Sequence, residues 1–126
     1  MTGTIRLFML LEAASFVAAS LIHAGVFITG YEHPQARTGE GVIAAVLITG
    51  LILSFVRRTW TRWVGLAAQG QGFALLGTLV GLFTIAIGVG PRTVPDLVYH
   101  AAILAVLGWG LIVAARAGSH RAGWRV

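Results

Sequence analysis

The stretch LFMLLEAASFVAASLIHAG, Leu7 to Gly25, decides how this chain is read. It has the composition of an apolar helix, yet it carries a carboxylate at Glu12 and an imidazole at His23. A bilayer crossing takes about 20 mostly apolar residues. An ionisable group within such a run belongs on a face turned toward protein, because hydrocarbon penalises it heavily. Glu12 and His23 are eleven positions apart, about 1100° of helical rotation, so they point within about 20° of each other and some 16 Å apart in height. Ser15 and Ala19 continue the same stripe.

The rest of the chain agrees with a lipid solvent. Of 126 residues, 57% are hydrophobic and 10% charged, against about 25% charged in soluble proteins. The length suits one domain, residues 1–126. The nine basic residues are all arginine and four acids leave a net charge of +5. These arginines flank apolar runs and are not gathered on one exposed face, which argues against nucleic acid as a partner. Cysteine is absent, which excludes disulfides, thiolate metal sites and thiol redox chemistry. Arg6 and the apolar run after it imitate a signal peptide, but Glu12 interrupts the run, so a retained helix is expected.

The apolar runs fall at residues 6–30, 41–56, 63–88 and 94–115. They predict an all-α integral membrane protein, a bundle of four transmembrane helices with a short basic tail at 117–126. The second run, between Glu40 and Arg57, would give only about 24 Å of helix. Turn chemistry separates the runs: YEHPQARTGE holds Pro34 and Gly39, and GVGPRTVPD holds Gly90, Pro91 and Pro95. Thr93 followed by Asp96 resembles a capping box. Arg6, Arg57, Arg58, Arg62, Arg116, Arg121 and Arg125 fall on one side and Arg37 and Arg92 on the other. The positive-inside rule then places both termini in the cytoplasm of a cell (inner) membrane. Trp60, Trp63 and Trp124 mark that interface, and Tyr31 and Tyr99 the outer one. Small residues (Gly77 and Gly81, Ala14 and Ala18, Ser20 and Ala24, Ala101 and Ala105) suit close helix packing, within the bundle or in a homo-oligomer or larger membrane complex.

Two polar groups emerge. In the cytoplasmic half, Glu12 has Gln69 and Gln71 as candidate partners; these point about 200° apart, so one of them can face it and not both. Neutralising a glutamate at pH 7 costs roughly 3.7 kcal/mol, comparable with the roughly 3 kcal/mol or more of a buried charge in lipid. Glu12 therefore reads either as a structural hydrogen-bonded carboxyl or as a proton carrier. In the outer half, His23 and His100 lie about 10 Å and 7 Å deep. Asp96 stands one turn before His100 and is placed to orient its ring. Tyr99, Glu40, Glu32 and His33 come from the same side. Two histidines at matched depth suit haem b; His23, His100 and Glu40 together suit a transition metal.

The leading expectation is an outer pocket of His23, His100, Glu40, Asp96 and Tyr99 that binds haem, a metal or a quinone. The alternatives are a proton-coupled small-molecule transporter using Glu12 with Gln69 and Gln71, and a structural or assembly subunit. A glutamate in the first of four helices resembles the small multidrug resistance transporters, whose glycine and tryptophan signature in the third helix is missing here. The order of short second helix, basic RRTWTR turn and glycine-rich third helix is similar to DoxX-like membrane proteins over a minority of the chain. The chain is assigned to neither. No catalytic nucleophile is indicated, since Ser15, Ser20 and Ser54 lack a base in register. GQGFALLG lacks the preceding strand and the lysine of a phosphate loop.

Overall fold

In the computed structural model, residues 1–76, 82–89 and 93–122 are described, and among them every regular element is helical. The order is α1 (Thr2–His23), α2 (Pro34–Val56), a 3-10 turn (Arg58–Trp60), α3 (Thr61–Ala74), α4 (Leu82–Ala86) and α5 (Val94–Ala122). Three segments are long and apolar enough to cross a membrane: Thr2–His23, Pro34–Val56 and Val94–Gly118. The third expected crossing, 63–88, is described as α3 and α4; residues 77–81 between them, with Gly77 and Gly81, lie outside the described residues, as do Arg92, Trp124 and Arg125.

Two helix ends differ from the apolar runs. The first helix stops at His23, not at Gly30. The reason is Gly25, whose φ of 80° breaks the helix. The Gly25 N–H donates to Ile22 O at 3.0 Å and the Val26 N–H to Leu21 O at 3.1 Å, the paired bonds of a glycine-terminated C-cap. The chain then folds back, and the His33 N–H donates to His23 O at 2.9 Å. The second helix begins at Pro34, seven positions before the apolar run. Proline fits its first turn, and the His33 side chain accepts the Ala36 N–H. The helix is thus 23 residues long, not short, and Glu40 lies inside its second turn. The basic tail is likewise helical as far as Ala122.

The core between α1, α2, α3 and α5 contains Ile5, Met9, Phe16, Ile43, Leu47 and Leu107. Around it the surface is apolar: Leu7, Leu10, Leu11, Phe55, Val98 and Trp109 are each more than half exposed. Large apolar side chains left exposed in such number suit contact with hydrocarbon. At the arginine-rich end, Arg6 donates to Ser54 of α2 and Arg62 to Ala114 O of α5 at 3.2 Å. Arg62 and Arg57 also stack on Trp63 and Trp60. These contacts join α1 to α2 and α3 to α5 at one end of the bundle and leave the other end to the histidines.

Candidate functional site at the histidine end

Three helix termini meet here. His23 is the last residue of α1, Glu40 is in the second turn of α2, and Asp96 is in the first turn of α5. His23 Nδ1 lies 2.7 Å from Glu40 Oε2 and Nε2 lies 3.1 Å from Asp96 Oδ1. One imidazole therefore bridges two carboxylates from two other helices. Their relative exposures are 4%, 3% and 9%, so water does not screen the contacts and each is a charge-assisted bond. Both contacts are satisfied when the ring carries hydrogen on both nitrogens, or when a carboxyl supplies one of the two. Asp96 is held from the other side by Thr93: the Asp96 N–H donates to Thr93 Oγ1 at 3.2 Å, and the Thr93 hydroxyl donates to Asp96 Oδ2. The threonine thus caps α5 and positions its carboxylate at once.

His100 is buried in the same place, but its Nδ1 lies 2.9 Å from the backbone carbonyl of Asp96. The expectation that the Asp96 carboxylate orients His100 is corrected: that carboxylate goes to His23, and His100 spends its bond on the helix. A haem iron needs a free nitrogen on each of two rings. Both nitrogens of His23 face carboxylates, whereas His100 keeps Nε2. Among the described residues no group of three or more histidines and acids is arranged to hold a metal ion. Glu32 is exposed in the loop, bound to the Gly30 N–H. His33 donates Nε2–H to Val89 O at 3.0 Å while its Nδ1 caps α2.

Two spaces border the cluster. On one side is a cavity of about 120 Å³ bordered by Glu40, His100, His33, Ile43, Leu76 and Thr84. Glu40 Oε1 is buried there without a hydrogen-bond partner. On the other side a groove of about 450 Å³ runs between α1 and α5, lined by Ala18, Ala19, Ile22, His23, Asp96 and Tyr99. The Tyr99 ring stands edge-on to Phe16 and to His100, with centroids 6.3 and 6.2 Å away, and its buried hydroxyl has no partner.

The second polar group lies deeper. Glu12 and Gln69 are both 0% exposed and converge on Gly110 of α5. Gln71 turns away and donates to Ile43 O at 3.4 Å, so a single glutamine does face Glu12, as the rotation requires. Arg6 is committed to Ser54. No spacing in the sequence announces that His23 joins two carboxylates, since that contact depends on the register of three helices. Comparison with protein-family models, curated proteins and solved structures finds no match for this chain.

Proposed function

We propose that the histidine end binds a lipid-soluble aromatic carbonyl compound of the quinone class in the groove between α1 and α5. The observation that carries this reading is the groove itself, apolar along α1 and closed at its inner wall by His23, Asp96 and Tyr99. Its volume falls in the range of roughly 300–1,000 Å³ usual for small-molecule sites. Tyr99 lines the groove; its hydroxyl is buried without a partner and would donate to a quinone carbonyl once the ring turns toward the groove. His23 and Asp96, bonded to each other at the inner wall of the groove, would set a polar pair beside that carbonyl and orient it. Quinone is favoured over haem because ligating iron through His23 requires breaking one of its two carboxylate contacts. With this reading goes an orientation: the arginine-rich end in the cytoplasm, the histidine end outside, and residues 63–88 as the fourth crossing of a cell membrane.

The test is purification in mild detergent, solvent extraction, and titration of the protein with a short-chain quinone while following its thermal unfolding. Co-extracted quinone, or an unfolding temperature that rises with quinone and no longer does so in Tyr99→Phe and His23→Gln, supports the site. Absence of both in wild-type protein rejects it.

A further inference from the structure

Glu12 lies about 16 Å from His23 along α1 and belongs to a site of its own. Glu12 Oε1, Glu12 Oε2 and Gln69 Oε1 are all buried and none has a hydrogen-bond partner. A Cβ built on Gly110 would lie 2.9 Å from Glu12 Oε1 and closer still to Gln69 Oε1, so both oxygens crowd one point on α5. The amide cannot simply be turned round. Gln69 Nε2 donates to Gly65 O at 3.1 Å, and exchanging the amide atoms would press Gln69 Oε1 against that carbonyl. Three acceptors with no donor are unstable together, since each unmet buried polar group costs about 1–3 kcal/mol.

Among the described residues no positive charge comes to the carboxyl from the elements packed around it. On α1, Arg6 is bound to Ser54 of α2. On α3, Arg62 donates to Ala114 O and no ionisable residue follows before Ala74; α2 has none between Glu40 and Arg57, and α5 none between His100 and Arg116. What the arrangement lacks is a single hydrogen. We propose that Glu12 is a proton-binding site within the membrane-spanning region, its carboxyl donating to Gln69 Oε1 in a niche that exists because residue 110 is glycine. This site is independent of the quinone reading.

Infrared spectroscopy of the protein in lipid nanodiscs tests it, with glutamate carboxyls labelled by carbon-13 so that only Glu12, Glu32 and Glu40 report. The expected result at neutral pH is a protonated-carboxyl band that is lost in Glu12→Gln and persists in Glu40→Gln. In Gln69→Leu the band should remain and shift to higher frequency, as the carboxyl loses its acceptor. A wild-type spectrum containing only ionised glutamates overturns the proposal, and so does a band insensitive to Gln69→Leu. The labelled wild-type spectrum alone delivers the overturning result if it holds no protonated band, and where Glu12→Gln does not fold, persistence of the band in Glu40→Gln still separates Glu12 from the bridge.

Discussion

At the histidine end, the atoms that meet are of opposite kind: two ring nitrogens against two carboxylate oxygens, with a threonine hydroxyl completing Asp96. Around Glu12 the atoms that meet are alike, three oxygens against one another and a bare backbone. Both groups are buried in the same bundle, so the difference is not one of solvent. It lies in what each loses when one member is removed. Taking away the bridge strands two buried carboxyl groups; taking away the lone carboxyl leaves only one neutral amide oxygen, Gln69 Oε1, without a donor. Buried polar groups thus stabilise a membrane bundle through complementarity, and mere presence in the interior says nothing about stability.

His23→Ala should have the largest effect. It leaves Glu40 and Asp96 buried without their common partner, and breaking a buried pair in this way costs roughly 3–5 kcal/mol. Denaturant titration of the detergent-solubilised protein measures it. A loss below about 1 kcal/mol would mean that the carboxylates find water or new partners, and the contrast between the two regions would disappear.

Gly110→Ala comes next, from the other region. The added methyl would run into Gln69 Oε1 and Glu12 Oε1, and overpacking of this kind costs about 1–3 kcal/mol. Combining it with Gln69→Ala should recover much of the loss, because the clash is with that side chain; two additive penalties would instead place the strain in the backbone.

How much of this was legible in the sequence depends on whether a feature is local. Glu12 and His23 share a stripe because helical rotation alone places them, and only one of Gln69 and Gln71 reaches Glu12 for the same reason. The Thr93 cap was readable from its spacing to Asp96. Helix ends were less so: Gly25 looked like part of an apolar run to Gly30, and Pro34 like a loop, although a left-handed glycine and a first-turn proline are stop and start signals that hydropathy overrode. The His23 bridge was not readable at all. Asp96 and His100 are a helical turn apart, which suggested a pair, but the axial position and rotation of α1 against α5 hand the carboxylate to His23. The same holds for Gly110, whose meaning comes from two other helices.

Thr93→Ala sharpens the comparison on a smaller scale. Loss of a helix N-cap costs about 1 kcal/mol, and here the same hydroxyl also holds Asp96 in place for His23. The double variant with His23→Ala should therefore cost less than the sum of the two single changes, as expected for residues within one network. Simple additivity would show that the threonine acts on α5 alone.

The smallest expected change is the most telling. Glu12→Gln keeps the size of the side chain and replaces an oxygen by a nitrogen that donates. If the wild-type carboxyl already carries a proton toward Gln69 Oε1, the amide reproduces that bond and stability should stay within about 1 kcal/mol of wild type, the usual net worth of one hydrogen bond. Were Glu12 instead ionised and held by an unseen cation, the same substitution would strand that cation and destabilise the fold by several times as much. Unfolding measurements on Glu12→Gln beside His23→Ala in one detergent therefore compare the two regions directly. Near-neutrality in the first and a large loss in the second is the pattern that a donor-poor niche and a complementary bridge require.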